Sequence, residues 1–80
     1  MFAKIMSGDH QNVSFSDLQR LSSALGFELE RMSGSHHIYR HPAMKERLNL
    51  QVVRGQAKVY QVRQLRALIK EYDLSLEDEQ

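Results

Sequence analysis

The sequence contains no cysteine, no tryptophan and only one proline, Pro42. Without cysteine there is no disulfide framework, no thiol nucleophile and no thiolate ligand for zinc or an iron–sulfur cluster. Long apolar runs are missing as well. None exceeds the three residues of Ala67-Leu68-Ile69, far short of the ~20 that a membrane-spanning helix needs. Lys4 and then Ser7-Gly8-Asp9 interrupt the N-terminal stretch, so the apolar core of a secretory signal is not there. What is present is 80 residues, 41% of them hydrophobic, enough for one small core. The expectation is a soluble, cytoplasmic, single-domain protein.

Basic and acidic residues nearly balance, 11 against 10, for a net charge of +1. Their placement is uneven. Residues 34–72 carry eight basic side chains (Arg40, Lys45, Arg47, Arg54, Lys58, Arg63, Arg66, Lys70) against two acidic ones, Glu46 and Glu71. The first 33 residues are close to neutral, and the tail 73–80 is acidic. A basic central half is where a polyanion would bind, although the same residues could simply solvate a helix face and a loop. The acidic tail reads as a solvated, frayed end, or alternatively as a cover for the basic surface.

The chain's periodicities place the elements. Residues 1–12 read as a short turn or helix followed by a loop. Ser14 or Ser16 can cap a helix, on whose inner face Phe15, Leu18, Leu21 and Leu25 recur at steps of three and four. Gly26 suits its left-handed end. Burying those four side chains is worth roughly 6–12 kcal/mol as an upper bound. Phe27 to Met32 begins with the alternation of a half-buried strand, and Ser33-Gly34-Ser35 is a turn signal. His36 to His41 reads as a second strand stopped by Pro42, and Leu48 to Val52 as a third, ending near Arg54-Gly55. The last helix is expected over Val59–Tyr72. On it Val62, Leu65, Leu68, Ile69 and Tyr72 fall within an arc of about 120°, while Arg63, Arg66 and Lys70 cluster within about 60° on the other side. Helix, three antiparallel strands and helix make an α+β fold with both helices on one face of the sheet.

Four histidines, at 10, 36, 37 and 41, are the side chains best suited to move protons near neutral pH. A metal site is disfavoured. His36 and His37 point to opposite faces of a strand, and His37 and His41 stand roughly 13 Å apart in an extended chain. Acid–base work on RNA needs less, because the substrate's own 2′-hydroxyl is the nucleophile. One imidazole to move a proton and cations to stabilise phosphorane charge are the required residue types. The alternative is that these histidines are surface or hydrogen-bonded structural residues.

The stretch Gly34-Ser35-His36-His37-Ile38-Tyr39-Arg40-His41-Pro42, placed after Leu25-Gly26-Phe27-Glu28-Leu29, resembles the signature of the HicA-type toxins, partners of HicB antitoxins in bacterial toxin–antitoxin pairs. The run Ala57-Lys58-Val59-Tyr60-Gln61-Val62-Arg63-Gln64-Leu65 is similar to the entry into the last helix in one branch of that family. The likeness extends over roughly residues 14–74, with the N-terminal segment and the acidic tail peripheral. It implies a fold like that of double-stranded-RNA-binding domains and a metal-independent endoribonuclease acting on mRNA, without a cofactor. It implies His36 as the catalytic group, Gly34 as the turn-setting residue, and Ser35, His37 and Arg40 in support. A bulge in the strand would exchange the facing of His36 and His37. Lys58, Arg63, Arg66 and Lys70 are the expected RNA contacts. The expected partners are RNA and a HicB-type antitoxin, the chain being a monomer when alone. The sequence departs from the family where many members have Val-Pro-x-His on the third strand and Gly-Thr at the last helix. Here Leu48-Asn49-Leu50-Gln51 and Tyr60-Gln61 stand instead, and no second acid or base is assigned. The contrasting readings are a non-catalytic RNA-binding module and a domain whose basic stripe meets an acidic protein.

Overall fold

A computed structural model describes residues 1–76. Three helices, α1 (Phe2–Met6), α2 (Phe15–Ala24) and α3 (Val59–Tyr72), accompany four strands, β1 (Glu28–Ser33), β2 (His36–Arg40), β3 (Leu48–Val53) and β4 (Gln56–Ala57). The strands form one antiparallel sheet in the order β1-β2-β3-β4. This is the expected α+β architecture with two additions.

The first addition is β4. Arg54 and Gly55 both take positive φ, 53° and 77°, the signature of a tight hairpin turn that folds Gln56 back against Val53. Two residues are too few to show an alternation, so β4 has no signal of its own. Its outer edge is covered by the segment entering α2, through Ala57 N–H to the Val13 carbonyl (3.0 Å) and Phe15 N–H to the Gly55 carbonyl (2.9 Å).

The second is α1, the helix that the reading of residues 1–12 as a short turn or helix left open; it packs into the core, where a peripheral segment was expected. Ile5 is fully buried in the core. The Arg66 guanidinium on α3 donates to the Met6 carbonyl at 3.3 Å, so the segment is fastened as well as packed. Lys4 organises the following loop, bridging Asp9 at 3.1 Å and the Gln11 carbonyl at 3.0 Å. The acidic tail, expected as a frayed end over 73–80, is described only as far as Leu76. Asp73 is the left-handed cap of α3, the Leu74 N–H bonds the Ile69 carbonyl at 3.0 Å, and Leu74 and Leu76 pack against the core. This part is therefore not frayed, while residues 77–80 lie outside the described residues.

α2 starts where Ser14 accepts the Asp17 N–H at 3.2 Å and ends before Gly26, whose φ of 100° is left-handed. Its Phe15, Leu18 and Leu21 meet Val62, Leu65, Leu68 and Ile69 of α3 in one core. The sheet contributes Tyr39, Leu48 and Leu50. Along β3, Leu48 and Leu50 are fully buried while Asn49 and Gln51 are half-exposed. One face of the sheet therefore lies under the helices, and the other is open.

Two polar ties hold the sheet to the helices. Gln19 on α2 donates to the Tyr39 hydroxyl at 3.0 Å. Gln61, buried on α3, accepts the Gln51 N–H at 2.7 Å. At the far end of α3 the Tyr72 hydroxyl donates to the Glu46 carboxylate at 2.6 Å, which lowers the carboxyl's pKa and raises the phenol's.

Candidate active site on the open face of the sheet

The β1–β2 hairpin turns through Gly34 and Ser35, with Ser33 paired to His36. Gly34 has φ 59°, the first central position of a turn that favours glycine there, and a Cβ at this point would meet nothing within 4 Å. The turn thus needs glycine for its backbone angle and leaves open space beside it.

The facing of the two adjacent histidines follows from the register. β1 is bulged between Leu29 and Arg31, whereas the β2–β3 pairing runs without a shift from His36↔Gln51 to Tyr39↔Leu48. The bulge lies in the neighbouring strand, so β2 alternates regularly. His37 and Tyr39, opposite Leu50 and Leu48, face the helices. His36, Ile38 and Arg40 face the open side together with Asn49 and Gln51.

His36 is half-buried, and its Nδ1 lies 3.0 Å from the Asn49 side-chain oxygen. Gln51 stands directly opposite, and its side-chain amide donates to Ser35 Oγ at 3.2 Å. The Ser35 carbonyl accepts the Val52 N–H at 3.3 Å and faces His37 Nδ1 at 3.2 Å. Ser35 is therefore a knot that ties the turn to β3. Asn49, Gln51 and Gln61 were not singled out in the sequence. A signal existed: Asn49 and Gln51 are the polar positions of the β3 alternation, on the face that His36 shares.

The other histidines are engaged elsewhere. His37 packs edge-on against Phe15, ring centroids 4.8 Å apart, beneath the sheet. His41 donates from Nε2 to the Leu25 carbonyl at 2.9 Å and accepts the Ala43 N–H at Nδ1 (3.0 Å), with its ring against Phe27. It fastens the end of α2 to the end of β2. His10 is buried, and its Nε2 has no hydrogen-bond partner among the described residues. No three His, Asp or Glu side chains gather as a metal site among the described residues.

The cations divide into three groups. Lys58 is the N-cap residue of α3, beside the Val52↔Ala57 pair and so at the His36 end of the sheet; its ammonium lies 5.9 Å from the Tyr60 ring centroid. Arg40 shares the open face with His36 but sits four residues along β2, about 13 Å away, and pairs with Glu28 at 3.2 Å. Near it a hollow of about 320 Å³ is lined in part by Arg40, His41 and Arg47, and Arg47 grips the Glu30 carboxylate at 3.1 and 3.2 Å. That grip holds the Glu30 carboxyl below its usual pKa.

The third group is the α3 ridge. Arg63 and Lys70 are exposed, whereas Arg66 is half-buried by its bond to Met6. The ridge points away from the core that α3 shares with β3, and His36 points away from the same core on the other side of the sheet. The structure therefore does not bring these cations together with the imidazole.

A family model described as "HicA toxin of bacterial toxin-antitoxin" matches residues 15–74. No curated protein and no solved structure matches the chain.

Proposed function

The chain belongs to the HicA toxin family of bacterial toxin–antitoxin systems, and from that premise we propose that it is an endoribonuclease that cleaves mRNA through His36. Membership of such a system implies an antitoxin partner, and a HicB-type protein covering the open face is the partner that this reading requires. The observation that carries the reading is the position of His36. Its ring stands on the uncovered side of the sheet, held at one nitrogen by Asn49, with the other left for a substrate.

In this reaction the RNA 2′-oxygen attacks the adjacent phosphorus as the bond to the 5′-oxygen breaks, giving a cyclic phosphate and a new 5′-hydroxyl end. His36 takes the 2′-proton and later passes it to water, while water supplies the proton for the leaving oxygen. The side chains need no metal for this step. Gly34 leaves room for the phosphate beside the turn, Ser35 keeps the turn against β3, and His37 supports the strand from beneath. Lys58 is the cation nearest in the fold to that end of the sheet, and Arg40 would meet the strand further along. Arg63, Arg66 and Lys70 would touch only RNA that continues round the start of α3, and Arg66 would first have to leave Met6. Phosphate contacts of this kind make binding salt-sensitive.

One observation favours the second reading, a module that binds RNA without cutting it. The exposed cations of α3 lie away from His36, so a strand held there alone would not reach the ring. Incubation of the purified chain with RNA in excess chelator separates the two. Cleavage that persists in chelator supports the nuclease, cleavage that needs added divalent metal contradicts the metal-free step, and binding without cleavage supports the module.

A further inference from the structure

We propose that Asn49 is a positioning residue that accepts the Nδ1–H of His36, fixes the imidazole tautomer and so presents Nε2 as the proton acceptor. The inference rests on the reading of His36 as the acid–base group. Asn49 sits between Leu48 and Leu50, both fully buried, so the β3 backbone is pinned and the position-49 side chain must point to the open face. There it lies diagonally across from His36, which pairs with Gln51, at a separation within side-chain reach. The contact measures 3.0 Å.

The chemistry assigns the direction of that bond. An imidazolium carries a proton on both nitrogens, so any partner of Nδ1 must accept once Nε2 is protonated. A side-chain carbonyl accepts from Nδ1–H before and after the proton arrives. Turned the other way, the amide would donate to a bare Nδ1, put the resting proton on Nε2, and have to flip in each cycle. With the oxygen toward the ring nothing in the protein moves when His36 takes up its proton. A neutral amide also holds the ring without forcing it into the charged form, as a carboxylate would. Among the described residues Asn49 is the side chain that meets Nδ1, and Ser33, opposite His36 on β1, makes no bond to the ring. Gln51 is occupied with Ser35, Arg31 on β1 and Arg40 on β2 are cations, and Glu28 at the far end is paired with Arg40. On the covered face the nearest titratable neighbour is His37, packed on Phe15.

The test combines nitrogen-15 NMR of the His36 ring with cleavage kinetics on the full chain. The native protein, at a pH where His36 is neutral, should show Nδ1 protonated and Nε2 bare. Asn49→Asp keeps the acceptor and adds a charge. Cleavage should survive, and both the His36 titration midpoint and the acidic limb of the pH–rate profile should move up together by about one unit or more. Asn49→Leu should release the tautomer and lower kcat by about tenfold or more with KM little changed. A resting proton on Nε2 in the native protein overturns the inference without touching the role of His36. So does an unmoved midpoint in Asn49→Asp, or full cleavage by a folded Asn49→Leu. Cleavage surviving in His36→Ala would instead remove the reading on which the inference rests, whatever the tautomer.

Discussion

Gln61 should be worth more to this protein than any exposed ion pair. It is 1% exposed, it lies in the apolar stripe of α3, and its side-chain oxygen accepts the Gln51 N–H at 2.7 Å. Replacing it with leucine keeps the volume roughly constant and removes the acceptor. The Gln51 N–H then loses its partner at the edge of the core, and an unsatisfied buried donor costs about 1–3 kcal/mol. Leucine recovers part of that by burying an apolar side chain, so the net loss should be about 1–2 kcal/mol. In a domain of this size that corresponds to a fall in melting temperature of roughly 5–15 °C. The same substitution should loosen the candidate site, because Gln51 holds Ser35 and faces His36. Thermal denaturation followed by circular dichroism gives the first number. Amide hydrogen exchange at Gln51 gives the second, which should accelerate selectively in Gln61→Leu. A variant that melts with the native protein while its Gln51 amide stays protected would refute the argument, and would mean that the Gln61 bond does not hold β3 against α3.

Tyr72→Phe should remove one hydrogen bond whose contribution fades at both ends of the pH scale. The Glu46 carboxyl is lowered from 4.5 by the Tyr72 hydrogen bond, so its contribution is complete above that value and is lost as pH falls through the lowered pKa. Tyr72 is raised from 10.0 by Glu46, so its share is complete below 10.0 and fades only as pH rises through the raised pKa. The native protein should exceed Tyr72→Phe across the neutral range, with the gap closing in acid; urea denaturation from pH 3 to 8 would contradict this if the gap stayed constant. Gly34→Ala should cost about 1–2 kcal/mol through its positive φ alone, since a Cβ there meets no neighbour. Gly34→Asn should recover part of that loss, and equal destabilisation of the two variants in denaturant melts would point to a steric cause instead.

The helices were legible because their apolar residues repeat at three and four. The cap at Ser14 and the stop at Gly26 were legible from single residues with one clear physical use. β1 was less so. Its bulge places Leu29 and Met32, three residues apart, on the same face, which no period-two pattern anticipates. α1 is little more than one turn, with Phe2, Ile5 and Met6 on its inner face, too short for its spacing to separate a helix from a turn. In α3 the arc that collects the core residues also contains Gln61, about 160° round from Arg63. Its polarity masked a position that geometry alone would have buried. Arg66 was misleading in the opposite sense, because a cation at a ridge position turned out to fasten α1. For the candidate site, the motif led to His36 and Gly34, while Asn49 and Gln51 required the register of β2 on β3. Composition also joined the central cations into one surface, and the sheet, with helices on one side only, divides them.

The two faces of β2 separate the roles of its adjacent histidines. His36→Ala and His37→Ala should therefore be compared directly, as folded proteins, for RNA cleavage in excess chelator. The predicted result is that His36→Ala abolishes cleavage while retaining RNA binding, and that His37→Ala, which loses a packing contact to Phe15, is less stable but still cuts. Cleavage that survives in His36→Ala and disappears in a folded His37→Ala would place the chemistry on the covered face instead and overturn the role of His36.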